Sequence, residues 1–584
     1  MFIGEIISAD TAAIHELMLI LTRKIHIEGP IHMEDMEKLA YVKKFYPQVF
    51  NEYEKELIYL MGLFYKVDTP ESMRQIVYQI FAEEIEENTG HKFTPIQASA
   101  YTYIHEKKYF SFSAPTSAGK SFLFRELIEE EQSDIVIVLP SRALIAEYMY
   151  AVKELFKDFR NQDGKSVLVL DFIENINITK TFKRVYIITP ERGSELFKIV
   201  DDLNIGLFLF DEAQISDEKK SSRGLRFDIF VRKVGRVLPN AKKVFTHPFV
   251  DNPEAQLLKH NFKDDAIAVK YTQSSVGKIF IQKKNDNSYY FSPFDENTYR
   301  ATNTLKVDDD LLNSILDNNG TILVYISKSK IYQNIFQTEF SNILSKCRRI
   351  TDPKGIEIIN ELKEYIGATN SGEKKSSLIE LMKRGIVIHH GSIPLKARLL
   401  IEKFINANYA KVCFATSTLI QGINMPFDIV WIDNFKFEGD NSDKILGLKN
   451  LIGRSGRTLS NEKAIFDYGY VIVKSSNIKT FSQRINSNSR LNETSIIEDV
   501  YAIDGDSSEL ANSIRNDTYN DDYNLPQVQV DRLTNEEVSK NILYLLDVLF
   551  YDNIIISGNH YNSIKKSQKD KIKDAFKKIY RSEE

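Results

Sequence analysis

The sequence has little cysteine and no long apolar segment. Only two of its 584 residues are cysteines, Cys347 and Cys413, and they have no spacing typical of a metal site. This usage argues against a disulfide scaffold and is typical of a reducing compartment. The N-terminus lacks a basic region followed by a continuous apolar core, and no apolar run approaches the about 18 residues that span a bilayer. We therefore expect a cytoplasmic protein that does not interact with a membrane.

Neither sign of charge dominates the chain. It has 76 lysines and arginines against 81 aspartates and glutamates, a net charge of −5. This balance provides no overall attraction to nucleic acid, so any such binding must come from local basic strips. Hydrophobic residues make up 43% and charged residues 27%, which is typical of globular proteins. A chain of this length predicts about three to five domains.

A phosphate-binding loop is predicted at residues 114–121, which read Ala-Pro-Thr-Ser-Ala-Gly-Lys-Ser. An apolar run precedes the loop and a helical pattern starts near Lys120, so backbone N–H groups and a helix N-terminus can surround phosphate oxygens. Lys120 would reach the β and γ phosphates of ATP, and Ser121 would bind Mg²⁺. Ala114 stands where the usual pattern has its first glycine. The residues that we expect to bind the nucleotide here are Thr116, Ser117, Ala118, Gly119, Lys120 and Ser121.

An acidic pair, Asp211 and Glu212, follows the apolar run of residues 205–210. This run is typical of a fully buried strand, which would present Asp211 at its C-terminal end. Asp211 would hold the metal ion, and Glu212 would orient or deprotonate the attacking water. An acidic pair after an apolar run is also common as a simple strand end.

Residues 453–457 read Gly-Arg-Ser-Gly-Arg and offer two cations, Arg454 and Arg457. These arginines could stabilise the charge that builds on a transferred phosphoryl group. Alone, the segment could equally be a solvated basic turn. The order and spacing of the three motifs in one chain favour an ATP-driven motor with all three acting together.

With two further segments, the chain resembles the superfamily 2 helicases, and more closely their Ski-like branch. Residues 389–394 (His-His-Gly-Ser-Ile-Pro) and 415–426 (Ala-Thr-Ser-Thr-Leu-Ile-Gln-Gly-Ile-Asn-Met-Pro) look like the second-domain signature of that branch. The resemblance implies nucleotide contacts from Gly422 and Asn424. It also implies that Gln97 reads adenine, for which a side-chain amide is suited.

The same resemblance implies a track for a single strand of nucleic acid between two motor domains. In the family, loops that follow buried strands hold the nucleic-acid backbone. Such loops follow apolar runs at four places in this chain, two in each predicted motor domain. The residues placed on this track are Ser141, Arg142, Thr189, Arg192, Ser327 and Thr416.

The chain departs from the family in the motif that couples hydrolysis to strand separation. Residues 246–248 read Thr-His-Pro where Ser-Ala-Thr is usual, so one of two hydroxyl groups is missing. Pro248 cannot donate a backbone hydrogen bond. Gln214 replaces a common histidine or aspartate, and Asn450 replaces a usual glutamine. We therefore predict intact hydrolysis and leave its coupling to unwinding open.

The predicted fold class is α/β, with two tandem RecA-like parallel-sheet motor domains and helical N- and C-terminal extensions. The predicted domains are a helical accessory domain (residues 1–88), motor domain 1 with the ATP site (89–265), motor domain 2 (266–480) and a mostly helical C-terminal region with an acidic linker (481–584). The resemblance places the N-terminal helices on the first motor domain. A β-hairpin is predicted near residues 278–291.

Two functions fit these observations. The first is an ATP-dependent helicase or translocase that moves on or unwinds DNA or RNA, by resemblance from 3′ to 5′. The second is a nucleotide-gated clamp, or a regulatory ATPase subunit of a partner enzyme, that does not unwind. In either case we expect ATP and Mg²⁺ as cofactors and nucleic acid as a partner. A protein partner such as a nuclease, within a bacterial defence or repair complex, is a further expectation.

Overall fold

Two parallel β-sheets form the framework of the protein. The structure is a computed structural model that describes residues 1–29, 31–67, 69–116, 118–173, 180–218, 222–295, 305–307, 311–368, 376–417, 425, 427–456, 465–495, 536–551 and 554–581. The chain divides into two compact units, one of residues 1–193 and 199–495 and one of residues 194–198 and 496–584. Both large sheets lie in the first unit.

The first sheet is entirely parallel, with seven strands within the described residues. Its strands are β1 (Tyr109–Ser113), β2 (Asp134–Val138), β3 (Ser166–Leu170), β4 (Thr181–Ile188), β5 (Ile205–Phe210), β6 (Lys242–His247) and β7 (Ala266–Lys270). They are arranged in the order β3-β4-β2-β5-β6-β1-β7. Central strands such as β2 and β5 are continuous apolar runs because both faces of a parallel sheet are covered. Because β7 pairs with β1, the first sheet extends beyond the predicted boundary at residue 265.

The second sheet is parallel except at one edge. Its strands are β8 (Gly277–Lys284), β9 (Asn287–Tyr290), β10 (Ile322–Tyr325), β11 (Ile386–His389), β12 (Val412–Ala415), β13 (Ile429–Ile432) and β14 (Tyr468–Lys474). The order is β11-β12-β10-β13-β14-β8-β9, and β9 is antiparallel to β8. The predicted hairpin is thus confirmed, with Asn285 in the left-handed region that asparagine tolerates (φ 52°).

Helices connect the strands and form both extensions. In the first unit they are α1 (Ile3–Ser8), α2 (Thr11–Glu28), α3 (Met33–Phe45), α4 (Pro47–Leu60), α5 (Met73–Thr89), α6 (Pro95–Glu106), α7 (Lys120–Glu130), α8 (Arg142–Leu155), α9 (Pro190–Gly193), α10 (Ser222–Val237), α11 (Glu254–Lys259), α12 (Leu311–Asp317), α13 (Lys328–Tyr332), α14 (Ile335–Glu339), α15 (Ser341–Lys346), α16 (Pro353–Tyr365), α17 (Ser377–Met382), α18 (Leu395–Asn406), α19 (Asn441–Ile452) and α20 (Ile478–Ile485). Within the described ranges, no helix is long and apolar enough to cross a membrane. The predicted α/β class with two tandem sheets and helical extensions is confirmed.

The second unit contains α21 (Glu536–Leu549), α22 (Gly558–Ser563), α23 (Lys566–Arg581) and a short antiparallel pair, β15 (Phe550–Tyr551) and β16 (Ile554–Ile555). Leu545, Ile572 and Ala575 form its small apolar core. The C-terminal region is therefore mostly helical where it is described. Residues 496–535, which include most of the predicted acidic linker, lie outside the described residues.

The N-terminal helices contact both motor domains. Helix α3 packs on β8 at one side of the second sheet, whereas α5 packs on α6 of the first motor domain. Lys43 Nζ donates a hydrogen bond to the carbonyl of Phe466 (2.8 Å), and Gln273, between the two sheets, donates to the carbonyl of Met61 (2.7 Å). The expectation that this region stacks on the first motor domain is therefore incomplete. A helical pattern identifies an apolar face but does not specify which surface covers it.

A segment after α20, residues 486–495, returns to the first motor domain. We call it the returning segment. The backbone N–H of Asp251 donates to the carbonyl of Ser489 (2.9 Å). The side chain of Asn252 accepts from the N–H of Leu491 (2.8 Å) and donates to its carbonyl (2.9 Å). The second motor domain is thus attached to the first at both of its ends.

Helix α3 buries a carboxylic acid against the second motor domain. Glu37 is 1% exposed and accepts a hydrogen bond of 2.6 Å from the hydroxyl of Ser292. Burial raises the pKa of Glu37 well above its ordinary range, because the charged form loses its hydration. The folded protein therefore favours protonated Glu37.

Replacing Glu37 with glutamine should stabilise the protein at neutral and alkaline pH. Because the folded pKa is raised, the contribution of Glu37 to stability is present below its unfolded pKa of about 4.3 and is lost as the pH rises through its folded pKa. The melting temperature of Glu37→Gln should exceed that of wild type increasingly between pH 5 and pH 8. A difference of about 1 kcal/mol corresponds to roughly 2–4 °C in a domain of 150–250 residues. Glu16→Gln, at an exposed position of α2, is the control, and a destabilised Glu37→Gln at pH 8 would contradict the prediction.

Candidate nucleotide-binding site

Five predicted segments lie side by side at one edge of the first sheet. Neighbouring strands in the sheet follow the order β4-β2-β5-β6-β1. At or just after their carboxyl ends lie, in the same order, Thr189, Ser141, Asp211, Thr246 and the loop of residues 114–121. All five strands are parallel, so their carboxyl ends share this edge. Ligands of open α/β sheets bind outside the carboxyl ends of the strands.

The phosphate loop has a conformation that requires glycine. Gly119 has a φ of 75° and precedes the first turn of α7. A Cβ atom at this position would lie 2.4 Å from the side-chain nitrogen of Gln97. Lys120 begins α7, and its Nζ lies 3.4 Å from the carbonyl oxygen of His247. Ser121 is exposed in the same turn, Ala118 is half-buried, and Ser117 lies outside the described residues.

Gln97 ties α6 to the phosphate loop. Its side-chain nitrogen donates to the carbonyl of Gly119 (3.0 Å), and its oxygen accepts from the backbone N–H of Thr94 (2.9 Å) in a capping box at the start of α6. The sequence did not indicate this contact. Recognition of adenine by Gln97 remains a prediction.

The carboxylate of Asp211 is held by three donors. The hydroxyl of Thr246 donates to one oxygen (2.5 Å) and that of Tyr148 to the other (2.8 Å). The N–H of Glu212 also donates to Asp211 (3.0 Å). Asp211 is thereby fixed at the end of β5, as a metal-binding carboxylate requires.

Glu212 has an unusual backbone conformation. Its φ and ψ are 55° and 42°, in the left-handed region that L-residues rarely adopt. Such strain is concentrated at functional sites, where surrounding contacts maintain it. Gln214 provides one of these contacts, since its side chain donates to the carboxylate of Glu212 (2.6 Å).

The electrostatic surroundings of Glu212 combine groups from both motor domains. Burial raises its pKa, and the negative charge of Asp211 acts in the same direction. The positive charges of Lys120 and Arg454 and the hydrogen bond from Gln214 oppose this rise. A carboxylate with a raised pKa is suited to accept a proton near neutral pH.

The two motor domains touch at the phosphate loop. A Cβ atom on Gly453 would lie 2.3 Å from the hydroxyl oxygen of Thr116, so this glycine permits the close approach. The next residue, Arg454, is buried, and Lys278 of β8 donates to the carbonyl of Ser455 in the same turn. The structure therefore brings Arg454 to the site of Lys120 and Glu212. Arg457, Gly422 and Asn424 lie outside the described residues.

The residues at the phosphate loop and the acidic pair fit a nucleoside triphosphate with Mg²⁺. The hydroxyl of Thr116 is buried and has no hydrogen-bond partner among the described residues. It could therefore donate a hydrogen bond to a phosphate oxygen or to a water molecule. In the part of the chain that the structure describes, no group of three or more histidines, cysteines, aspartates or glutamates could hold a metal by itself. Mg²⁺ usually takes one or two carboxylates and completes its shell with phosphate oxygens and water. Asp211 and Ser121 have the oxygen ligands that this arrangement needs, and their binding of Mg²⁺ remains a prediction.

The predicted nucleic-acid residues lie at the carboxyl ends of neighbouring strands. Ser141 accepts from the N–H of Leu144 (3.3 Å) as the N-cap of α8, and Arg142 after it is exposed. Thr189 follows β4, and Arg192, within α9, donates to the carbonyl of Asp171. In the second sheet, Ser327 follows β10 and Thr416, which is buried, follows β12, the neighbour of β10. Contact of these residues with nucleic acid remains a prediction.

The contacts of two residues at the site, His247 and Tyr148, were not found by sequence analysis. His247 is buried, its Nε2 lies 3.2 Å from the hydroxyl of Ser111, and its carbonyl accepts from the N–H of Ala114 (3.1 Å). Tyr148 holds Asp211 from α8, far away in sequence. No local pattern distinguishes such a tyrosine from one that only packs in the core.

A protein-family model described as DEAD/DEAH box helicase matches residues 94–239. The match begins at the N-cap of α6 and includes the phosphate loop and the acidic pair. This chain carries a DEAD/DEAH box helicase domain. The helicase domain is therefore built on the first sheet, and Lys120, Asp211 and Glu212 lie inside it.

Proteins similar to this chain include superfamily 2 helicases. The ATP-dependent DNA helicase MER3 of Saccharomyces cerevisiae is 25% identical over 529 residues, 81% of this chain and 40% of the relative. The ATP-dependent DNA helicase Hel308 of Thermoplasma volcanium is 23% identical over 380 residues, 62% of this chain and 50% of the relative. The Hachiman protein HamB of Bacillus cereus is 29% identical over 150 residues, 24% of this chain and 12% of the relative. The chain thus spans at most half the length of these relatives, of which MER3 and Hel308 fit the Ski-like branch.

Proposed function

We propose that this protein is an ATP-dependent DNA helicase or translocase. The observation that carries the proposal is the contact of the two motor domains at the phosphate loop, where Gly453 approaches Thr116 and the buried Arg454 follows. A nucleotide bound there would link the two domains, so binding and hydrolysis would change their separation. DNA is favoured over RNA because MER3 and Hel308 are named DNA helicases.

The positions of the residues support the roles that we propose for them. Lys120 and the backbone of the phosphate loop would bind the phosphates, while Asp211 and Ser121 would hold Mg²⁺. Mg²⁺, when bound, neutralises charge on the phosphate oxygens. Glu212 would orient the attacking water and accept its proton, and Arg454, with Arg457 by resemblance, would stabilise charge on the transferred group.

A single strand of DNA would lie across the carboxyl edges of both sheets. Ser141, Arg142, Thr189 and Arg192 would contact its backbone from the first domain, and Ser327 and Thr416 from the second. Backbone contacts of this kind carry little sequence information and weaken as salt rises. Movement from 3′ to 5′ is proposed from the resemblance to the Ski-like branch.

One observation favours a second candidate, a nucleotide-gated DNA clamp. The coupling motif has His247 and Pro248 in place of the usual alanine and threonine, and His247 is buried against Ser111 within the first domain. If this motif does not couple ATP hydrolysis to movement of the DNA-binding residues, the domains would close and open without separating the DNA strands. ATP hydrolysis stimulated by DNA is expected of both candidates, whereas strand displacement is expected only of the helicase.

The decisive experiment combines ATPase and strand-displacement assays. We expect ATPase stimulation by single-stranded DNA, weakening as salt rises, and displacement of a duplex with a 3′ overhang but not one with a 5′ overhang. The assays use single-stranded DNA, duplex DNA and RNA in parallel. Stimulation without displacement would favour the clamp. Displacement from 5′ overhangs alone would contradict the branch, and stimulation only by RNA would contradict the proposed substrate.

We further propose that the protein acts in the cytoplasm with a nuclease partner in a bacterial defence system. The similarity to the Hachiman protein HamB over 150 residues supports this setting. Mass spectrometry of complexes purified with the tagged protein from its native cells tests the proposal. The absence of a stoichiometric nuclease from such complexes would argue against it.

A further inference from the structure

The carboxylate of Asp211 accepts hydrogen bonds from hydroxyl groups on two different elements. Thr246, at the end of β6, donates to Oδ1 (2.5 Å). Tyr148, in the second turn of α8, donates to Oδ2 (2.8 Å). Tyr148 is 9% exposed, so water competes little for its hydroxyl group. Both oxygens of the carboxylate are therefore oriented by the protein.

The contact from Tyr148 is informative because of what residues 246–248 lack. They read Thr-His-Pro, so only Thr246 offers a side-chain hydroxyl. His247 points to Ser111 instead, with its Nε2 3.2 Å from that hydroxyl, and Pro248 has no polar side chain. The second hydroxyl on Asp211 thus comes from a helix that lies before the acidic pair in sequence.

We infer that Tyr148 is a positioning residue that orients Asp211 for binding Mg²⁺ and supplies the hydroxyl group that residues 246–248 lack. The inference rests on the proposed ATPase function and deepens it. A carboxylate with both oxygens hydrogen-bonded cannot rotate freely, so the geometry that it offers to an octahedral ion is fixed in advance. Groups that orient a metal ligand in this way typically change metal affinity or activity by about 10–100-fold when they are removed.

The test is the Mg²⁺ dependence of nucleotide binding by the full-length chain. Binding of the fluorescent analogue mant-ATP is titrated with Mg²⁺ for wild type and Tyr148→Phe, which keeps the ring and removes the hydroxyl. We expect the Mg²⁺ concentration for half-maximal binding to rise by about tenfold or more. ATPase activity of the variant should return towards the wild-type rate at high Mg²⁺, because the metal site is weakened and not destroyed.

Two further variants keep the test specific. Tyr150→Phe is the matched control, since Tyr150 lies on the same helix and is 72% exposed; its Mg²⁺ dependence should equal that of wild type. Tyr148→His retains an aromatic ring with a hydrogen-bond donor and should lie between wild type and Tyr148→Phe. It also provides a comparison if Tyr148→Phe does not fold, which its melting temperature reveals.

The outcomes separate this inference from the proposed function. If Tyr148→Phe binds mant-ATP with the Mg²⁺ dependence of wild type, the role of Tyr148 is overturned and the proposed ATPase function is unaffected. The same holds for Tyr148→His if only that variant folds. A defect that high Mg²⁺ does not relieve also overturns it, because a general structural role then explains the loss. A wild-type protein that binds mant-ATP without any effect of Mg²⁺ overturns both.

Discussion

Replacing Glu212 with glutamine is expected to abolish ATP turnover and to leave ATP binding largely intact. Glutamine cannot accept a proton from water, and loss of a general base typically costs about 10²–10⁴-fold in rate. Ground-state binding depends on Lys120, the phosphate loop and Mg²⁺, so affinity should change little. Phosphate release and mant-ATP binding measure the two effects on the same preparation.

Asp211→Asn should also abolish turnover, but through a different step. Asparagine keeps the size of the side chain and removes the charge that would hold Mg²⁺. Glu154→Gln is a control, because Glu154 is an exposed glutamate on α8. Near-normal ATPase of Glu212→Gln would show that this glutamate only occupies the end of a strand.

Replacing Arg454 with alanine is expected to reduce DNA-stimulated ATPase by about a thousandfold. Arginines that stabilise the transition state of phosphoryl transfer contribute about 10³–10⁵ in rate. Arg454 is more than three hundred residues from Lys120 in sequence, yet both influence the pKa of Glu212. The reduction should therefore appear mainly in turnover, with a much smaller change in ATP affinity.

Arg454→Lys should remain clearly defective, because lysine keeps the charge but loses the planar fork of donors. The matched control is Arg349→Ala, an exposed arginine of the second motor domain. By resemblance, Arg457→Ala should show a comparable loss. Melting temperatures are needed for each variant, since Arg454 is buried. If Arg454→Ala kept most of its stimulated rate, residues 453–457 would be a basic turn without a catalytic role.

The sequence predicts the sheets of this protein better than the contacts of its site. The apolar run of β5 is continuous because the strand is buried on both faces, and it places Asp211 correctly at the strand end. Local spacing likewise identifies Gly119 and Lys120. In contrast, the contacts of Tyr148 with Asp211 and of Gln97 with Gly119 join residues that no periodic pattern connects. They depend on the packing of helices against a completed sheet, which is decided by the whole fold.

The position of the N-terminal helices was predicted only in part for a related reason. Their apolar stripes predict burial, but β8 belongs to a domain more than two hundred residues away in sequence. Buried Glu37 gives no signal in the sequence either, because glutamate on a helix is usually exposed. Residues Gly422, Asn424 and Arg457 stay predictions from the resemblance.

The returning segment has a mechanical consequence for the two motor domains. Residues 271–276, between β7 and β8, and the hydrogen bonds of residues 486–495 attach the second domain to the first at its two ends. A body attached at one point can swing in any direction, whereas a body attached at two points can only rotate about the line between them. These two attachments should therefore restrict the second domain to rotation about a single axis, and Asn252 belongs to one of them.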